Sequence, residues 1–269
     1  MSSGSPAPMA TMATVVAVPA RLESSRLPGK VMADIGGQPM LRRVLERCRR
    51  ATGLAAVVLC TDSDQLMAEA ERWGFPALAT SPACTSGSQR IASVVEPLLT
   101  LGGGSAQDTL IINVQGDQPF IDPAVIEAMA TEFGQRLPRP EVLTPVYRLA
   151  ADTVHNPNVV KTLLSADGRA LYFSRSAVPH VRDVHPDQWH AHAPYWGHVG
   201  MYGYRADVLA RWDQLPPSPL EHLEKLEQLR LLEAGITIGT FAVEGESLSV
   251  DTADQLEQAR ALAAAFDAD

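Results

Sequence analysis

The first apolar run of the chain, residues 14–19, is short and β-branched, the pattern of a strand buried on both faces. The polar stretch 20–30, with Pro28 and Gly29, ends it and reads as a loop. From Pro39 the apolar positions Met40, Leu41, Val44, Leu45 and Cys48 recur at helical spacing, with Pro39 suited to a first turn. The pattern then predicts a strand over 55–60, a helix capped by Thr61 or Asp62, a strand over 76–79, and a helix over 88–101 that stops at the Gly102 to Gly104 run. An apolar strand at 109–114 runs into Gln115-Gly116-Asp117-Gln118-Pro119, and Asp122 with Pro123 starts the next helix. This alternation predicts an α/β fold with a Rossmann-like, mainly parallel sheet and right-handed crossovers. Ligands gather at the carboxyl ends of strands in such sheets, which puts the loop 21–30 and Gln115 to Asp117 on one rim.

After about residue 140 the pattern changes. Segments 141–147, 159–164 and 170–173 read as strands with no helix between them, so an antiparallel extension is predicted. Residues 179–196, rich in His, Pro and Asp, read as an irregular loop, followed by a strand at 199–204. Leu220, Leu223, Leu226, Leu229 and Leu232 predict one helix over 220–234, stopped by Gly235. A strand at 237–243 and a helix at 252–266 close the chain. Residues 1–13, small and polar with several methionines, read as a flexible segment outside the fold, and 14–269 as a single domain.

Composition narrows the function classes. A net charge of -9 and a pI near 5.3 oppose binding to nucleic acid or to anionic membrane, so an anionic ligand needs a local basic site. No apolar run approaches the roughly 18 residues of a spanning helix. Cys48, Cys60 and Cys84 have no paired or metal-ligand spacing and read as reduced thiols of a cytoplasmic protein.

The loop after the first strand carries Arg21, Arg26 and Lys30 beside Ser24, Ser25 and a Pro-Gly step. Gly29 lets backbone approach an anion, Lys30 supplies a point charge, and the arginines can grip oxygens in a bidentate way. The loop suits triphosphate oxygens; the other reading is a solvated loop whose cations screen an acidic protein. Asp117 follows an apolar strand and Asp251 stands just before the last helix, so two carboxylates from distant segments can share a hard cation such as magnesium. Asp251 also has the position of a helix N-cap. His185, His190, His192 and His198 match no usual zinc spacing. Of these, His198 is set apart by preceding the strand that carries Tyr202 and Tyr204.

Taken in order, Pro19-Ala20-Arg21, Ser25-Arg26-Leu27-Pro28-Gly29-Lys30, Ser86-Gly87 with Arg90, and Asn113-Val114-Gln115-Gly116-Asp117 resemble the 3-deoxy-manno-octulosonate cytidylyltransferases, or CMP-Kdo synthetases. The resemblance continues through Asn156-Pro157-Asn158, the 170–175 segment Ala-Leu-Tyr-Phe-Ser-Arg, Tyr202-Gly203-Tyr204-Arg205, the stretch 217–230 and Val250-Asp251-Thr252. It implies a nucleotidyltransferase fold of GT-A-like type, with 141–205 as an inserted subregion for substrate and dimerisation. It implies that Arg21 and Lys30 meet the CTP phosphates, that Ser86, Gly87, Arg90 and Gln115 form the nucleotide pocket, and that Asp117 and Asp251 ligate magnesium. Arg21, Lys30 and Asp117 thereby become the catalytic set. Arg26, Gln115, Arg175, His198, Tyr202, Glu227 and Gln228 fall where the family contacts the sugar acid. The implied reaction is in-line attack of the acceptor's anomeric hydroxyl on the α-phosphorus of CTP, by a cytoplasmic homodimer. The family's usual Ser-Gly-Thr-Glu-Arg, Gln-Gly-Asp-Glu-Pro and Arg-His stand here with Ser88 and Gln89, Gln118, and Gly197. These departures leave open an acceptor such as 8-amino-Kdo, a sialic acid or a phosphonate acid, or a CTP-binding regulator without catalysis.

Overall fold

In the computed structural model, which describes residues 12–24, 27–245 and 248–266, the first half of the chain builds the parallel part of one sheet. Its elements are β1 (Ala13–Ala20), the small hairpin β2 (Asp34–Ile35) and β3 (Gln38–Pro39), α1 (Met40–Arg49), β4 (Ala56–Thr61), α2 (Asp64–Arg72), β5 (Ala77–Ala79), α3 (Gly87–Ala92), α4 (Val95–Gly102), β6 (Thr109–Asn113) and α5 (Pro123–Gln135). The second half adds β7 (Val142–Arg148), β8 (Lys161–Leu164), β9 (Ala170–Ser174), α6 (Trp189–His192), β10 (Trp196–His198), β11 (Tyr202–Arg205), α7 (Ala206–Ala210), α8 (Pro219–Glu224), α9 (Gln228–Glu233), β12 (Ile238–Ala242) and α10 (Ala253–Phe266). Strands run in the order β5-β4-β1-β6-β11-β7-β10-β8-β9, with β12 beside β7. The four strands from β5 to β6 pair in parallel, and β11, β10, β8 and β9 continue the sheet antiparallel. The expected α/β sheet with an antiparallel extension is therefore present.

Alternation along β1 explains why it reads as uniformly apolar. Val16 and Val18 face one core, with Leu41, Val44 and Leu45 of α1, Met129 and Phe133 of α5, and Leu256 of α10. Val15 and Ala17 face the other, with Ile91 of α3, Leu98 of α4 and Leu229 of α9. Helices cover both faces, so every side chain of the strand leaves water, and each valine buried in this way contributes about 1.5–3 kcal/mol.

The antiparallel half is organised by β7. Val142 and Leu143 pair with β11 on one edge and β12 on the other, and Val146 lies between His198 of β10 and Ala242 of β12. One stretch of chain, interrupted at Val199, Gly200 and Met201, thus supplies both β10 and β11 along the same edge of β7. The expected strand at 199–204 begins only at Tyr202, and His198 belongs to the separate strand β10.

Two predicted helices are each split. The helix expected over 88–101 breaks at Ser93 and Val94. In an unbroken helix Pro97 would lack the N–H for the Ser93 carbonyl and its ring would clash with it; in α4 it sits harmlessly in the first turn. The helix expected over 220–234 breaks where Lys225 turns left-handed at φ 55. Leu223 is 79% exposed whereas Leu226 and Leu229 are buried, so the leucine pattern spans two helix faces rather than one. Smaller differences concern caps and ends. Ser63, accepting from the Leu66 amide at 3.3 Å, caps α2 in place of Thr61 or Asp62. The expected loop 179–196 contains α6, and Ala13 opens β1 while Met12 packs on the core, so only residues 1–11 of the expected flexible segment lie outside the described residues.

Candidate active site

Where β1 ends, Gly29, at φ 68, turns the loop into the short helical turn that begins at Lys30. The Lys30 ammonium donates to Asp117 Oδ2 at 2.7 Å, to Asp251 Oδ1 at 2.8 Å and to the Val250 carbonyl at 3.2 Å. The Val250 amide in turn donates to the Asp117 carbonyl at 2.9 Å, which fastens the segment before α10 to the end of β6. Ser249 Oγ donates to Asp117 Oδ1 at 3.2 Å. Burial disfavours the Lys30 charge, but Asp117 and Asp251 outweigh it and hold the ammonium above the usual lysine pKa. The expected rim is thus assembled, and Lys30 in addition bridges the two carboxylates.

A cavity of about 290 Å³ opens over this bridge, lined by Arg21, Lys30, Ser86, Gly87, Arg90, Gln115, Asp117 and Asp251. Arg21 is exposed at its edge, and Arg26 lies outside the described residues. Ser86 caps α3 by accepting from the Gln89 amide at 3.1 Å. A Cβ on Gly87 would stand 3.1 Å from both Gln115 Oε1 and Pro19 Cγ, so glycine lets α3 press onto the ends of β1 and β6. Arg90, 4% exposed, is held by Asp62 at 2.9 Å and by the Thr80 hydroxyl.

A second cavity, of about 240 Å³, shares Gln115 and Asp117 with the first and adds Gln118, Tyr147, His198, Val199, Gly200 and Ser249. His198 Nε2 lies 2.9 Å from Thr144 Oγ1, whose single proton goes to the Met201 carbonyl at 2.8 Å. Thr144 therefore accepts from His198, which fixes the Nε2–H tautomer. Burial pushes the imidazole pKa down to about 3, so the ring is neutral. Tyr202 packs beside it, its ring tilted by 44° with centroids 5.3 Å apart.

Behind both cavities a hydrogen-bond chain runs from Gln115 Nε2 to Asn113 Oδ1 at 2.9 Å, from Asn113 Nδ2 to Ser88 Oγ at 3.2 Å, and from Ser88 Oγ to Glu227 Oε1 at 2.8 Å. With the Ser88 proton on Glu227, Tyr204 donates to Ser88 at 2.8 Å. Burial raises the Glu227 carboxyl above its ordinary pKa, against the Ser88 and Ser86 hydrogen bonds. The neighbouring Gln228 is buried, and among the described residues its Nε2 has no hydrogen-bond partner. Glu227 and Gln228 line neither cavity.

Arg175 stands apart. Its guanidinium donates to the Glu224 carbonyl at 2.8 Å and the Pro157 carbonyl at 3.2 Å, its amide to Glu224 Oε2 at 3.0 Å, and it lines neither cavity. The expected carboxylate fork is here a clamp between α8 and the 156–158 loop. Arg175→Ala should therefore lower the melting temperature by about 2–4 °C, the shift of a loss near 1 kcal/mol. Acceptor kinetics measured on the same protein discriminate: a changed acceptor KM with unchanged melting would restore a substrate role.

Residues 15–238 match the profile of the cytidylyltransferase family. The chain belongs to the cytidylyltransferase family. Among curated cytidylyltransferases, the 3-deoxy-manno-octulosonate cytidylyltransferase of Myxococcus xanthus is 41% identical over 254 residues, covering 94% of this chain and 98% of that protein. The enzyme of the same name from Chlorobaculum tepidum is 40% identical, covering 93% and 97%. A solved structure of CMP:2-keto-3-deoxy-manno-octonic acid synthetase complexed with CTP superposes with a TM-score of 0.84 at 37% identity, over 94% of this chain and 99% of that one. A cytidylyltransferase from Leptospira borgpetersenii, 17% identical with a TM-score of 0.61 over 95% of this chain and 88% of that one, shares the fold.

Four side chains of this cytidylyltransferase site escaped the reading of the sequence for function: Asn113, Thr144, Tyr147 and Ser249. Asn113 carried a usable signal, a lone amide ending a wholly apolar strand. Thr144 and Tyr147 carried none, since both are ordinary strand residues whose partners come from β10 and the turn after it.

Proposed function

We propose that the chain transfers CMP from CTP to the anomeric hydroxyl of 3-deoxy-D-manno-octulosonate (Kdo), giving CMP-Kdo and pyrophosphate. The observation that carries this reading is the junction of two cavities at Gln115 and Asp117, one edged by Arg21 and Lys30 and the other by neutral groups around His198. A triphosphate belongs in the first and a hydroxylated acceptor in the second. Their reacting atoms then meet at the shared wall, and positioning supplies much of the rate. The anomeric oxygen forms a bond to the α-phosphorus and gives up its proton to water. The bond from the α-phosphorus to its bridging oxygen breaks, and its electron pair leaves with pyrophosphate.

Among the described residues no cluster of three or more His, Cys, Asp or Glu side chains is placed around one metal. Asp117 and Asp251 nonetheless fit magnesium, because both already direct an oxygen at one cation, the Lys30 ammonium, and magnesium completes its shell with water and substrate phosphates. When bound there, magnesium would offset charge on the phosphates. Arg21 and Lys30 add fixed positive charge at the same place. The reading includes a homodimer in the cytoplasm, where the free thiols of Cys48, Cys60 and Cys84 stay reduced.

Pyrophosphate release with CTP and a panel of acid sugars tests the assignment. Kdo should give the highest kcat/KM. A higher value with 8-amino-Kdo or a sialic acid would reassign the acceptor, and CTP binding without pyrophosphate release would mark a regulator.

A further inference from the structure

The second cavity has two features that the transfer of CMP does not by itself require. Gln118 lines it and is 4% exposed, yet its Oε1 accepts no hydrogen bond from the described residues. Buried amide oxygens seldom go without a donor, so an occupant of the cavity has reason to present an O–H or N–H there. Tyr147 of β7, also in the cavity lining, pairs directly with Gly197 of β10, and its ring fills the place a Cβ on that glycine would take. A Cβ at position 197 would stand 2.5 Å from Tyr147 Cζ, 2.6 Å from its Cε1 and 2.6 Å from Leu149 Cδ2. No side chain fits at 197 while the ring stays where it is. Tyr147, 7% exposed, then forms part of the wall beside His198 and Gly200.

We propose that Tyr147, seated on Gly197, and Gln118 are specificity-determining residues for the acceptor. The ring provides an apolar wall for the carbon skeleton of the sugar acid, and the Gln118 amide oxygen takes a hydrogen bond from one of its hydroxyl groups. The acceptor is read here by shape and by a neutral hydrogen bond, while its negative charge is met elsewhere. The inference rests on the assignment of the second cavity to the acceptor.

Steady-state kinetics on the full chain test it, with acceptor KM measured at saturating CTP and CTP KM at saturating Kdo. Tyr147→Ala should raise acceptor KM about tenfold and Gln118→Leu, which removes the unsatisfied amide oxygen, by about tenfold or more, with CTP KM within about twofold. Gly197→Ala should behave as Tyr147→Ala does, because its methyl group displaces the ring. The double variant should be no worse than Tyr147→Ala alone, since the methyl then has only the end of Leu149 to move. Acceptor KM unchanged in both Tyr147→Ala and Gln118→Leu would overturn the proposal, as would a CTP KM that rises in step. If a substitution at 147 or 197 prevents folding, Gln118→Leu decides alone, because it keeps the volume of the side chain. Failure of the functional reading shows separately, as a wild-type chain that does not turn over Kdo.

Discussion

Asp117→Asn is expected to lower kcat by about 10²- to 10³-fold while the protein stays folded. The main-chain link from the Val250 amide to the Asp117 carbonyl does not involve the side chain, so the segment before α10 remains fastened to β6. An asparagine keeps the shape and one acceptor oxygen but loses the charge that faces Lys30 at 2.7 Å and stands at the wall shared by the two cavities. Raising magnesium should recover part of the loss if weakened metal binding is its cause. Pyrophosphate release, with circular dichroism as the check on folding, measures the effect. A folded variant that retains activity within about tenfold of wild type at limiting magnesium would remove Asp117 from the catalytic set.

Lys30→Ala should be nearly as damaging, for a compound reason. It withdraws a cation from the phosphate cavity, and it leaves Asp117 and Asp251 facing each other with no shared counter-charge. The lost phosphate contact alone should exceed about 1.5 kcal/mol, or more than tenfold in kcat/KM for CTP. Lys30→Arg separates the two contributions. A guanidinium keeps the charge but is a flat fork, whereas the three acceptors around Lys30 include a main-chain carbonyl as well as two carboxylates. Partial recovery of CTP kinetics is the expected result. CTP constants within about twofold of wild type for Lys30→Ala would show that the loop does not cradle the triphosphate.

The parallel half of the fold was legible because its signals are local. β1, β4 and β6 are mainly apolar runs, and helix starts are marked by Pro39 and Asp122 at the N-cap and by Pro123 in the first turn. The two split helices were misread for different reasons. Pro97 was an available stop signal outweighed by the apolar pattern around it. Lys225 was not, because its left-handed backbone is fixed by tertiary contacts of the next two residues, the burial of Leu226 and the placement of Glu227 against Ser88. At the site, the loop cations and the two aspartates were found because a charged residue at the end of an apolar strand is conspicuous. Resemblance supplied Glu227 and Gln228, which no spacing would have joined to β6. It also marked Gln118 and Gly197 as departures; Gln118 lines the second cavity, and Gly197 backs Tyr147, which lines it too. What sequence could not supply was the meeting of β7 and β10, which alone gives Gly197 its meaning.

Lys30 has a further consequence for how the free enzyme endures the loss of its ligands. Many clusters of acidic residues are held together by the ion they bind and spring apart when a chelator takes it. Here the protein carries a cation of its own between them: the Lys30 ammonium contacts both carboxylates, at 2.7 and 2.8 Å, and offsets one of their two negative charges. On the proposed magnesium site, a chelator should therefore stop turnover without leaving the two carboxylates to repel each other unscreened, and added magnesium should restore activity to folded protein.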